Sequence, residues 1–143
     1  MKALLLIFLI IYSLTACETK DEVVVDIKDN FYELQYIDAG LSGQIIEKED
    51  LDFNEYIEFF PDSTFVKQRI YMDSTSIAKG NYNYLVNDEY EYLKLSYEID
   101  TYLIQSCGRI LHEYMQILGE NEIFNGSYLP CDGPGYYYQR IKK

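Results

Sequence analysis

Tyr90 to Ile99 reads YEYLKLSYEI. Leu93, Leu95, Tyr97 and Ile99 fall in one phase of a period of two, and Tyr92, Lys94, Ser96 and Glu98 fall in the other. A helix would scatter those apolar residues around its circumference, whereas a strand gathers them on one face. The stretch therefore predicts a strand with one side against a core and the other toward water.

The same period recurs on both sides of it, between turn signals. Upstream, Tyr56 to Phe60 leads into Pro61-Asp62-Ser63, and Thr64 to Met72 leaves it, which predicts a hairpin. Asp73-Ser74-Thr75-Ser76 supplies the next turn, and Ile77 to Val86 follows, with Gly80 at a bulge or a close backbone approach. Gly43 to Glu47 reads as an early strand, and Asn30 to Ile37 as a strand or a short helix. Downstream, Ile110 to Leu118 fits either period. As a strand it sets His112, Tyr114, Gln116 and Leu118 on one face and Leu111, Glu113, Met115 and Ile117 on the other. The turn Gly119-Glu120-Asn121 and the short run Glu122 to Phe124 favour the strand. Asn125-Gly126 predicts a tight turn, residues 130–135 a loop, and Tyr136 to Ile141 a last strand. About eight strands at hairpin spacing predict an all-β antiparallel barrel or sandwich.

The chain begins MKALLLIFLIIYSLTAC. Lys2 is followed by a twelve-residue run, Ala3 to Leu14, too short for the roughly 20 apolar residues that span a bilayer but suited to a signal peptide. Leu14-Thr15-Ala16-Cys17 resembles the lipobox of bacterial lipoproteins, which implies cleavage before Cys17 and acylation of that cysteine. Two or more acyl chains anchor a protein stably without a further membrane segment. Lys20-Asp21-Glu22 resembles the acidic tag that sends Bacteroidota lipoproteins to the cell surface. The bland counterpart is a charged linker facing the periplasm. The expected organisation is a leader over 1–16, a lipidated N-terminus and tether over 17–28, and one domain over 29–143. The expected address is the outer membrane, on the cell-surface or the periplasmic side.

Without its leader the chain has 143 less 16 residues, or 127, enough for one domain with a proper core. The 12 basic residues less Lys2 leave 11 against 24 acidic ones. That balance repels phosphate backbones, so no nucleic-acid partner is expected, and membrane association is covalent in origin. With Cys17 given to lipid, Cys107 and Cys131 remain in an exported protein, where thiols are oxidised, and a disulfide between them is expected. The rival, a metal centre, has two thiols and one histidine, His112, and falls short of four tetrahedral ligands. Neither a metal nor another cofactor is expected.

The chain holds 16 tyrosines and no tryptophan. Tyr82, Tyr84, Tyr136 and Tyr138 are the candidates for lining a ligand pocket, with rings that stack and hydroxyls that hydrogen-bond. Tyrosine also simply suits a half-buried strand. His112 and Glu113 face opposite sides of their strand and cannot act on one substrate. Asp50-Leu51-Asp52-Phe53-Asn54 begins like a calcium loop but continues with Glu55 at its sixth position and Pro61 at its twelfth. No catalytic set assembles, so no enzyme is expected. Asp62-Ser63-Thr64 and Asp73-Ser74-Thr75 resemble an O-glycosylation motif of exported Bacteroidota proteins, and are also ordinary turn formers.

A glycine-bearing first strand at Gly43-Gln44-Ile45, the Phe60 to Phe65 hairpin, Gly80-Asn81-Tyr82 and Leu93 to Tyr97 together are similar to small lipocalin-like bacterial lipoproteins. The resemblance covers residues 40–141 and implies a lipocalin-like barrel. Lipocalins carry Gly-x-Trp on the first strand, which this chain lacks, and no family binding residues transfer. The function expected is a non-catalytic binding module for a small apolar or amphipathic ligand. The alternative is an accessory subunit that contacts a protein partner at the cell envelope.

Overall fold

A computed structural model describes residues 30–108 and 110–142. The leader, Cys17 and the tether to Lys28 lie outside them. Nine strands follow in order: β1 (Asn30–Asp38), β2 (Ile45–Glu47), β3 (Asn54–Phe59), β4 (Thr64–Ile70), β5 (Thr75–Val86), β6 (Glu91–Tyr97), β7 (His112–Gly119), β8 (Glu122–Asn125) and β9 (Gly135–Ile141). All pairings are antiparallel, and β1 pairs with β9, so that eight strands close into a barrel in the order β1-β3-β4-β5-β6-β7-β8-β9. Among the described residues the helical segments are single turns of 3-10 helix.

The ninth strand, β2, stands outside the ring. It pairs with Tyr36 to Asp38 of β1, on the edge whose other half, Asn30 to Glu33, pairs with β3. β2 and β3 are thus two pieces of one ribbon, parted by residues 48–53 with their 3-10 turn Lys48–Asp50. The Gly43–Glu47 stretch, expected to open the barrel, is therefore the extra strand. Asn30 to Asp38 opens it, and the choice there between strand and helix resolves to strand.

The period of two dictates the interior. Leu93, Leu95 and Tyr97 of β6 are buried, as are Glu113 and Met115 of β7. Ile99 is exposed, because β6 ends at Tyr97 and the chain turns away into the next connection. At the lower end of the barrel, where β1 starts and β9 stops, Phe59, Phe65 and Tyr82 pack with Tyr32 and Tyr97 through edge-to-face contacts 5.0–5.9 Å apart. Such contacts add to the area the rings bury. The Pro61-Asp62-Ser63 turn forms as expected, with Asp62 Oδ1 accepting from Thr64 N at 3.1 Å and from its hydroxyl at 2.6 Å. Asn125-Gly126 does not make a two-residue hairpin. It opens a longer connection, in which Ser127 N donates to Asn125 Oδ1 at 2.9 Å and Leu129 N to Gly126 O at 3.0 Å.

At the upper end, the 98–111 connection folds over the barrel mouth and buries Leu103, Ile104, Gln105 and Ser106. Cys107 and Cys131 are joined by a disulfide, with Cα atoms 5.9 Å apart, which ties this connection to the β8–β9 loop. Cys107 N also donates to Ser127 O at 3.1 Å. The bridge closes a separation of 24 residues. Replacing both cysteines with serine is expected to lower stability by about 3 kcal/mol. Urea midpoints of the oxidised chain and the variant give the measurement, and equal midpoints would show the bridge to be thermodynamically idle.

Candidate functional site

Directly beneath that cover the barrel interior is charged. On β4, the phase that buries Phe65 carries Lys67 and Arg69 inward; on β3 it carries Glu55, and on β7 Glu113. Lys67, Glu55 and Glu113 are fully buried, and Asn125 of β8 joins them. Lys67 Nζ lies 3.2 and 3.3 Å from the two oxygens of Glu113 and 3.6 Å from Glu55 Oε1. It donates to Gln105 Oε1 at 2.7 Å. Arg69 Nε donates to Glu55 Oε2 at 2.7 Å, and its guanidinium lies 4.0 Å over the ring of Phe53. Two cations thus face two carboxylates, and the set is formally neutral.

Neutral donors fill the remaining acceptor positions. Tyr97 OH donates to Glu113 Oε2 at 2.6 Å, and Tyr138 OH to Glu55 Oε1 at 2.5 Å. The Gln105 backbone N–H donates to Glu113 Oε1, and Gln105 Nε2 donates to Glu55 Oε1 at 3.1 Å. Asn125 Nδ2 lies 3.4 Å from both Gln105 O and Gln105 Oε1. Buried ion pairs seldom outperform a well-packed aliphatic core, because both charges lose their hydration. An interior of about eight strands can be filled by side chains or can hold one small ligand. The charged cluster is thus a costly way to fill the interior.

The four candidate tyrosines divide between two places. Tyr82 is buried at the lower end, where its hydroxyl donates to Phe60 O at 2.9 Å, and Tyr84 lies half-buried two residues further along β5. Tyr138 belongs to the charged cluster, and Tyr136 lies half-buried beyond it on β9. β5 and β9 are opposite walls of the ring, so Tyr82 and Tyr84 stand across the interior from Tyr136 and Tyr138. His112 turns outward against Tyr114, ring centroids 5.4 Å apart, while Glu113 turns inward, as their adjacency requires.

Lys67, Arg69, Glu55 and Gln105 were not singled out from the sequence. Their signal was present in part: Lys67 and Arg69 stand in phase with Phe65, and Glu113 shares its face with Met115 and Ile117. A charge in phase with an apolar face is a buried charge, and a buried charge needs a partner. Gln105 sits in a connection without periodicity and left no such signal.

Burial pushes the Tyr97 and Tyr138 hydroxyls well above the ordinary tyrosine range, with Glu113 and Glu55 respectively adding to the rise. Tyr136 is pushed up to about 12, mainly by burial. A phenol whose pKa is raised on folding holds its proton more tightly in the native chain, so its contribution is complete below pH 10 and is lost as pH rises through the native value. Stability is therefore expected to fall progressively above pH 10, with the share of Tyr136 gone past about 12. Tyrosinate absorbance should show exposed tyrosines titrating first and Tyr97 and Tyr138 only as the chain unfolds. One step near pH 10 covering every tyrosine of an intact fold would mean that the interior is wet.

No protein-family model, curated protein or solved structure matches the chain.

Proposed function

We propose that this chain is a lipid-anchored, extracytoplasmic, non-catalytic binding module of lipocalin-like type. Its small amphipathic ligand enters at the covered end of the barrel. The observation that carries this reading is the neutral set of buried charges, Lys67, Arg69, Glu55 and Glu113, beneath a connection held by one disulfide. Such a set offers a ligand both donors and acceptors, with Leu103 and Ile104 as apolar neighbours. Its acids and its cations are paired with one another, which supports a non-catalytic reading. A disulfide also fits an oxidising compartment, and Leu14-Thr15-Ala16-Cys17 supports an acylated Cys17.

A second reading, an accessory subunit that contacts an envelope protein, is favoured by the exposed apolar side chains around the same end, Met72, Ile99, Tyr102, Ile110 and Leu111.

Every strand among the described residues lies within Asn30–Ile141, so a soluble form that starts at Glu18 retains the whole barrel. Native mass spectrometry of that form, made in its exporting host, is expected to show a co-purifying small molecule. A bare mass together with a protein crosslinked at Met72 or Tyr102 on intact cells would replace the first reading by the second. Cys17→Ser is expected to abolish acylation; unchanged acylation would remove the anchor from the proposal.

A further inference from the structure

Gln105 is an unusual residue with which to seal a barrel. Its carboxamide is buried at a cost unless every polar atom finds a partner, and an aliphatic side chain would exclude water without that demand. Here the wall meets all of the demand. The backbone N–H donates to Glu113, and the backbone carbonyl lies within reach of Asn125. The side-chain oxygen accepts from Lys67 at 2.7 Å, and the side-chain nitrogen donates to Glu55 at 3.1 Å. These partners stand on four different strands, β3, β4, β7 and β8, and none belongs to the connection that carries Gln105. The wall thus holds an ammonium and a carboxylate at the separation that suits the two ends of one carboxamide.

From this arrangement we propose that the wall is a binding site for a primary carboxamide on a short aliphatic stem, and that Gln105 is its built-in occupant. The 98–111 connection is then a displaceable stopper, which the Cys107–Cys131 bond holds in place. This rests on the binding-module reading and names the ligand class of that site. The chemistry discriminates among small groups. A carboxylate in the same place would bring a third anion against Glu55 and Glu113, and an ammonium would meet Lys67 head-on. A carboxamide meets both walls with the correct sign and adds no charge.

Gln105→Ala removes the side-chain atoms that acetamide can replace. Acetamide at about ten times its Kd is expected to raise the thermal midpoint of Gln105→Ala by about 5 °C. Acetate and methylammonium should leave that variant unmoved, and the oxidised wild type should respond to none of the three. In the Cys107→Ser/Cys131→Ser chain, propionamide should compete with Gln105 and speed hydrogen exchange of the Leu103 to Ser106 amides by about tenfold, while propionate does not. A midpoint raised equally by acetamide and acetate, or by neither, overturns the carboxamide site. Exchange that propionamide leaves unchanged overturns the displaceable stopper. If Gln105→Ala does not fold, the exchange measurement on the double-serine chain decides both points. These probes need no natural ligand. A co-purifying molecule without an acetamide response therefore sinks the carboxamide class alone, whereas an acetamide response with a bare native mass keeps the site and sinks the ligand-carrying role.

Discussion

Lys67→Ala is expected to lower the unfolding free energy by about 3–5 kcal/mol, read as a fall in the urea midpoint at unchanged slope. The ammonium stands between Glu113, at 3.2 Å, and Glu55, at 3.6 Å, with none of the three side chains exposed. Its removal leaves two carboxylates sharing a dry interior, with Arg69 still engaged on the outer oxygen of Glu55 alone. It also empties the volume of a four-carbon stem, and the loss of that packing adds to the electrostatic loss. Lys67→Met combined with Glu113→Gln separates the two contributions. Methionine refills the volume, and glutamine gives up the charge while its one carbonyl oxygen accepts from the Gln105 N–H and its amide nitrogen donates to the Tyr97 hydroxyl oxygen. The double variant should be more stable than Lys67→Met alone, with a coupling of about 1–3 kcal/mol. A loss below about 1 kcal/mol for Lys67→Ala would place the group in a hydrated environment and remove the basis of the binding site.

Gly80→Ala is the second change with a large expected effect, a loss of about 3 kcal/mol or more. A Cβ at this position would stand 1.9 Å from the Ser96 carbonyl oxygen, 2.8 Å from its carbon and 2.9 Å from Phe65 Cε1. The first two atoms are backbone of the neighbouring strand, paired through Gly80↔Tyr97 and Asn81↔Ser96, and they cannot retreat without parting β5 from β6. Gly126→Ala makes the comparison. Its Cβ would meet the Phe124 ring at 2.8 Å and Leu129 Cδ1 at 3.2 Å, side chains that can swing aside. It should lose about 1 kcal/mol. Chemical denaturation of both variants tests the ranking, and comparable losses would show that the β5–β6 contact is softer than its geometry implies.

These two positions also mark how far the sequence could be read. Gly80 was legible as a close approach because a glycine inside an alternating run removes a side chain where one is expected. The β6 and β7 faces were legible for the same reason, since Leu93, Leu95, Glu113 and Met115 sit where a period of two puts them. The failures have physical causes. Gly43–Glu47 has the pattern of a wall strand, but six intervening residues detach it from β3, and local pattern carries no information on that insertion. Asn125-Gly126 carries a hairpin signal, yet Asn125 is drawn inward by Gln105, and Gly126 serves the Phe124 ring. The charged cluster joins residues up to 83 positions apart, as in Tyr138 with Glu55, and such pairing is written in the closure of the ring. Lys67, Arg69 and Glu113 stand in phase with apolar neighbours, but Gln105 lies outside any periodic run, and local pattern does not carry the convergence of the set.

The register that seals the ring also sets the start of the barrel's first strand beside the end of its last, since Phe31 and Ile141 are direct partners across β1 and β9. Neighbouring strands run about 5 Å apart, so a few glycines and serines appended after Ile141 could splice it to Asn30. New termini cut at the exposed Asp73-Ser74 tip would then give a circular permutant with an unbroken wall. Its near-ultraviolet dichroism should match that of the parent, because a hoop of hairpins has no privileged starting stave.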